Sequence, residues 1–149
     1  MHTLVEIRPF APADEPAVIA LWHACNLVSP ATNPSADIAR KLKVNPELFL
    51  VAQQEKQIVG TVMAGYEGRR GWINYLAVAP TARRQGIGRQ LMAAAESRLR
   101  ALGCPKVNLQ VRKTNHDVRK FYEALGFAED AVISFGKRLQ FDQPQSTKA

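Results

Sequence analysis

Residues Tyr75 to Leu91 read YLAVAPTARRQGIGRQL: an apolar run, a turn, two glycines and the start of a helix. The run from Trp72 to Val78 is apolar and β-branched enough to predict a buried strand, and Pro80 ends it because proline has no N–H to give a ladder. From Ile87 the apolar positions Leu91, Ala95, Leu99 and Leu102 recur at helical spacing, and Gly103 suits a left-handed cap after them. Gly86 and Gly88 lack side chains where that helix begins with unpaired N–H groups and the positive end of its dipole. An anion can therefore approach the backbone closely, and the stretch predicts a pyrophosphate cradle.

A bare G-x-G needs context, and the sequence weakens two contexts. A dinucleotide fingerprint would require glycine or alanine at Leu91, and a P-loop would require Ser or Thr after Gly-Lys, whereas Gly136-Lys137 is followed by Arg138. What remains is Arg83-Arg84-Gln85-Gly86-Ile87-Gly88, an R-x-x-G-x-G pattern behind a YLAV strand. It resembles the acyl-CoA pyrophosphate loop of the GNAT N-acetyltransferases.

Composition bounds the rest. A chain of 149 residues suits one domain, expected over residues 1–141, with a polar, frayed tail over 142–149. No apolar run approaches the roughly 18 residues of a membrane helix, and MHTLVEIRPF lacks an apolar signal core, so a cytoplasmic location is expected. Cys25 and Cys104 have no CxxC spacing and read as thiols in a reducing compartment. His2, His23 and His116 are scattered without ligand spacing, so no metal site is expected. The net charge of +7 admits nucleic acid, an acidic substrate or a polyphosphate cofactor. Its distribution favours the cofactor: Arg69, Arg70, Arg83, Arg84 and Arg89 crowd one helix start, and Arg112, Lys113, Arg119 and Lys120 another. No basic strand interleaved with aromatics supports RNA binding.

Taken in order, Leu4 to Arg8 predicts an edge or terminal strand. Asp14, Glu15 and Pro16 then open a first helix with Val18, Leu21, Trp22 and Cys25 on one face. After a breaker-rich loop from Ser29 to Pro34, Ser35 is expected to cap a second helix with Ile38 and Leu42 inward, ending before Pro46. Leu48–Gln53 and Gln57–Tyr66 read as a hairpin around Gln54-Glu55-Lys56. Glu67–Gly71 turns into the organising strand, which completes an antiparallel meander. Pro105–Val111 alternates, and a strand, helix, strand crossover of that length implies parallel pairing. Asn115 caps a fourth helix bearing Val118, Phe121, Tyr122 and Leu125 up to Gly126. Phe127 and Val132–Phe141 predict one or two closing strands.

Asn115 and Tyr122, seven residues apart, lie within about 20° of each other on a helix of 3.6 residues per turn, so both can line one groove. The segment N-x-x-x-x-x-F-Y-x-x-x-G-F resembles the GNAT helix whose tyrosine points at the coenzyme sulfur. The resemblance runs from Leu4 to Phe141, and through LFLVA, GCPK and GKRL it is similar to the bacterial YpeA-type branch. It implies an α/β (α+β) fold: a mixed, mostly antiparallel sheet of six to seven strands with about four helices, splayed at the fourth and fifth strands. It also implies acetyl-CoA as co-substrate. Backbone N–H groups from Arg84 through Gln85, Gly86, Ile87 and Gly88 to Arg89 would cradle the pyrophosphate beside Arg83. Leu76, Ala77 and Val78 would offer main chain to the pantetheine arm, a backbone N–H near Val78 would polarise the thioester carbonyl, and Asn115 would steady the arm. Tyr122 would protonate or hydrogen-bond the departing thiolate.

The function implied is direct transfer of an acetyl group to a primary amine, on a small molecule or on a protein N-terminus or lysine, in a ternary complex. The alternative is a domain that binds acyl-CoA as a sensor without turnover. An acceptor lysine with an ordinary pKa near 10.4 must first lose a proton. Glu67, Glu6, Glu123 and Asn74 with a water are candidates to receive it, and the base stays unassigned. The acceptor and the oligomeric state, a homodimer included, are not fixed by the sequence.

Overall fold

The stretch LFLVA is buried on both of its faces, and the sheet is built outward from it. The computed structural model describes residues 4–143. It contains five strands, β1 (Glu6–Pro9), β2 (Phe49–Gln54), β3 (Gln57–Tyr66), β4 (Gly71–Val78) and β5 (Val107–Leu109), which lie in that order in one sheet. Neighbours are antiparallel except β4 and β5, which are parallel. The four helices are α1 (Glu15–Ala24), α2 (Pro34–Lys41), α3 (Ile87–Ala101) and α4 (His116–Ala124).

Side-chain alternation along β2 divides the interior into two cores. Phe49 and Val51 join Val18, Leu21 and Trp22 of α1 and Ile38 of α2 on one face. Leu50 and Ala52 join Ile87, Leu91, Met92, Ala95 and Leu99 of α3 and Tyr122 of α4 on the other. A strand covered on both faces reads as a continuous apolar run, which is why LFLVA shows no polar alternation. The α3 stripe is the predicted one, except that Leu102 is half exposed at the C-cap. Gly103 takes the left-handed conformation expected of it, with φ of 84°.

The structure corrects three expectations. The sheet has five strands, not six to seven, and among the described residues none follows Leu109. Val132, Ile133, Phe135, Leu139 and Phe141 of the expected closing strands are 74–92% exposed. Their segment is held by side chains instead. Asp130 accepts hydrogen bonds from Lys106 Nζ and Asn108 Nδ2 at 2.9 Å each, and Gln110 Nε2 donates to Ser134 Oγ at 2.6 Å. Period-two alternation favours a strand but does not suffice for one, because a ladder also needs a partner edge. Here β5 pairs over only three residues.

The cap of α2 is the second correction. It is Asn33, whose side chain accepts from the Ala36 N–H at 3.0 Å, and not Ser35. The third concerns Leu42, which is 37% exposed and does not point inward. Of the expected tail, Asp142 is ion-paired with Arg40, and the Gln143 carbonyl accepts from Asn33 at 2.8 Å. Residues 144–149 lie outside the described residues.

Candidate functional site

Parallel pairing of β4 with β5 covers Gly71↔Val107, Trp72↔Asn108 and Ile73↔Leu109 and then stops, while β4 runs on to Val78. The two strands therefore part company beside Asn74 to Val78, and a cleft opens where the sheet's carboxyl-end main chain is unpaired on one side. Leu76 and Val78 turn toward the α3 face and Ala77, almost fully buried, toward the α1 face.

The glycine stretch closes one end of this cleft. Arg84 and Gly86 are left-handed, with φ of 65° and 76°, so the chain doubles back before α3 begins. A Cβ on Gly86 would meet nothing within 4 Å, so the requirement for glycine there is conformational and not one of space. No side chain caps α3 and its first turn carries no acid. The Gln90 N–H is the first to reach back, to the Gly86 carbonyl at 3.0 Å, leaving the N–H groups of Ile87, Gly88 and Arg89 without intrahelical acceptors. Those donors and the positive end of the helix dipole suit an anion, and the exposed Arg84 and Arg89 flank them.

The other side chains of the motif have local work. Arg83 Nε donates to the Val78 carbonyl at 3.3 Å, folding the guanidinium back onto the end of β4. Gln85 accepts from Gln54 Nε2 at 3.0 Å, and Ile87 is buried in the core. For these two residues it is the backbone that is left for a ligand.

Helix α4 forms the facing wall. Asn115 caps it, its Oδ1 accepting from the Val118 N–H at 3.3 Å. Tyr122 is 8% exposed and packs edge-on between Phe121 and Phe127, with ring centroids at 5.1 and 5.5 Å. Burial pushes its hydroxyl up to about 12, so the proton stays on it at physiological pH. Phe121, read from the sequence only as an apolar helix position, lies 3.2 Å from where a Cβ on Gly88 would be, and so joins α4 to the glycine turn. Its only sequence signal is its place beside Tyr122 in an apolar helix face.

Several other candidates have structural roles or stand exposed. Glu67 accepts the backbone N–H groups of Arg69 and Arg70, and those bonds hold its carboxyl below the usual range, so it serves the turn. Glu6, Asn74 and Glu123 are exposed, and Trp22 is core. Cys25 donates to the Val78 carbonyl at 3.4 Å and Cys104 to that of Lys106 at 3.4 Å, each as a free thiol. His23 lies in α1, His116 opens α4, and His2 is outside the described residues. Among the described residues no three His, Cys, Asp or Glu side chains converge as a metal site. No helix among them is long and apolar enough to cross a membrane.

A mixed sheet that splays at its fourth and fifth strands, with a glycine turn opening a helix at the cleft, defines a coenzyme A-dependent acyltransferase. The chain belongs to the acetyltransferase (GNAT) family, whose model matches residues 16–127. It is similar to an acetyltransferase of Yersinia enterocolitica, with 46% identity over 93% of this chain and 99% of that one. It matches another from Sodalis glossinidius with the same identity and coverage. Among solved structures it resembles Ard1 of Thermoplasma volcanium, with a TM-score of 0.78 and 28% identity over 85% of this chain and 84% of that one. The chain is thus an N-acetyltransferase that moves an acetyl group from acetyl-CoA to an amine.

Proposed function

We propose that acetyl-CoA lies in the cleft between β4 and α4, with its diphosphate on the first turn of α3 and its thioester beside the main chain of Leu76 to Val78. The observation that carries this reading is the uncapped, acid-free start of α3 behind two left-handed residues, set where β4 loses β5. The backbone from Arg84 to Arg89 and the Arg84 and Arg89 side chains meet the diphosphate. Asn115, exposed at the head of α4, stands by the pantetheine arm.

A neutral primary amine attacks the thioester carbon in a ternary complex, and the C–S bond breaks as the new C–N bond is completed. The main-chain N–H groups near Val78 polarise the carbonyl, and Tyr122 offers its O–H to the departing sulfur. A hydroxyl at about 12 is a weaker acid than a thiol of ordinary pKa near 8.5, so full proton transfer to the sulfur runs uphill by roughly 3–4 units. Hydrogen bonding of the developing thiolate is therefore the larger part of its role. The amine's own proton leaves to solvent or to an unassigned base.

The acceptor is a small-molecule amine or a protein N-terminus or lysine. An aminoglycoside acetyltransferase from an uncultured soil sample, 28% identical with a TM-score of 0.72 over 91% of this chain and 97% of that one, supports including aminoglycosides in a screen. A cytoplasmic setting is supported by the two free thiols. A homodimer is supported by the exposed alternation of Ile133, Phe135, Leu139 and Phe141, because two copies of one such segment can pair about a two-fold axis. Nucleic acid has no place in this reading, since the basic groups at the cleft are used for phosphates of the coenzyme.

The test is a calorimetric titration with CoA, followed by an amine and peptide screen read by thiol release from acetyl-CoA. Saturable binding with turnover on one amine class is expected. Absence of saturation at millimolar CoA overturns the coenzyme site, and binding without turnover on any amine overturns catalysis in favour of a sensor.

A further inference from the structure

Strand β4 contains a bulge that reverses its faces. Register runs Met63↔Asn74 and then Thr61↔Ala77, so Tyr75 and Leu76 together oppose Val62 alone. Ile73 accordingly packs on the α3 face but Tyr75, two residues on, on the α1 face. The reversal is made by Tyr75 itself, at φ of 50°. That conformation costs a residue with a Cβ roughly 1–2 kcal/mol, and tyrosine has no short polar side chain to offset it.

Three contacts hold Tyr75 there. Its ring stacks on Trp22 with centroids 3.7 Å apart at 13°. Its hydroxyl donates to Asp37 Oδ2 of α2 at 2.6 Å. Its carbonyl accepts from Thr61 Oγ1 at 2.8 Å, and that same hydroxyl oxygen accepts from Trp22 Nε1 at 2.9 Å. Among the described residues Thr61 is the one fully buried polar side chain, and both its donor and its acceptor capacity are used. At a bulge the ladder is locally disrupted, and Thr61 gives the Tyr75 carbonyl a donor from inside the core.

We propose that Thr61 is a positioning residue for acetyl transfer: oriented by the Trp22 indole N–H, it pins the Tyr75 carbonyl and thereby fixes the bulge whose following main chain, Leu76 to Val78, receives the thioester. The proposal deepens the coenzyme site given above and rests on it. Removing the hydroxyl strands the buried indole N–H and takes the Thr61 donor from the part-buried Tyr75 carbonyl, while leaving the start of α3 untouched.

The experiment uses acetyl-CoA carrying carbon-13 at the thioester carbonyl, CoA, and the full chain, so no acceptor is needed. In the wild type the bound carbonyl band is expected below its frequency in solution. Thr61→Val should return the band toward the solution value and speed amide exchange at Leu76 to Val78 by about tenfold. CoA affinity should stay within about threefold, as expected for a site that does not touch the diphosphate. Thr61→Ser, which keeps the hydroxyl, should behave as wild type. A wild-type band and exchange in Thr61→Val, or an equal defect in Thr61→Ser, overturns the proposal. Should Thr61→Val not fold, replacing Trp22 by 3-benzothienylalanine keeps the bicyclic stacking ring and exchanges only the N–H, for sulfur. A partial shift of band and exchange is then expected, and no shift overturns the proposal. The exchange arm is read without coenzyme, so a wild type that fails to bind CoA defeats the site and leaves the clamp separately tested.

Discussion

Gly88 of α3 and Phe121 of α4 meet so closely that a Cβ on Gly88 would lie 3.2 Å from Phe121 Cζ. This fixes the distance between the start of α3 and the helix that carries Tyr122. The sequence motif contains both glycines for what looks like one reason, and the structure separates them: Gly86 is needed for its φ, Gly88 for its missing side chain.

Substitutions at the two glycines should therefore differ in kind. Gly88→Val overpacks the α3 to α4 contact and is expected to cost about 1–3 kcal/mol in stability, with loss of CoA affinity as α4 is displaced. Gly86→Ala should cost about 1–2 kcal/mol from its left-handed backbone alone, and Gly86→Asn less, since Asn tolerates that region. Thermal melts of the three variants check this, and equal losses for Gly86→Ala and Gly86→Asn would contradict it.

Tyr122→Phe keeps the ring between Phe121 and Phe127 and deletes the hydroxyl. Turnover is expected to fall by about 10²-fold or more if the donor acts on the sulfur, with CoA affinity within a few fold. Activity should rise with pH as the acceptor amine loses its proton. Because the Tyr122 hydroxyl titrates only near 12, it should add no falling limb below about pH 10. The variant's profile should be lower but of the same shape. A falling limb present in wild type and absent from Tyr122→Phe would refute the assignment.

Arg8 and Asp14 make a two-pronged ion pair, with bonds of 2.8 and 3.0 Å, and Asp14 also accepts the Ala11 N–H at 2.8 Å. The hydrogen bond from Arg8 holds the Asp14 carboxyl below its usual range. A depressed folded-state pKa gives stability that is present above the unfolded value and is lost as pH falls through the folded one. Asp14→Asn should thus lower stability by about 1–2 kcal/mol at pH 7, and the difference should shrink below about pH 4. Melts across that range test it, and a difference independent of pH would show that the charge is not what matters.

The exposed segment around Phe135 bears on assembly. A concentration-dependent dimer is expected by sedimentation, and Phe135→Asp with Leu139→Asp should leave a monomer with unchanged CoA affinity. A wild type that sediments as a monomer at every concentration would remove the dimer.

The meander, the four helices and the glycine turn are legible in the sequence because each is written in local terms: β-branched runs, 3.6-residue spacing, proline stops and glycines at helix ends. The coenzyme came from the resemblance of that turn to the GNAT loop, not from the local terms themselves. Tertiary structure alone decided the rest. Nothing in the letters around Tyr75 marks a left-handed residue. Its backbone is bent by Trp22, Asp37 and Thr61, which come from α1, α2 and β3. Likewise the alternation from Ile133 to Phe141 records a preference for strand, but whether a strand forms depends on an edge to pair with, and periodicity in one segment carries no information about its partner.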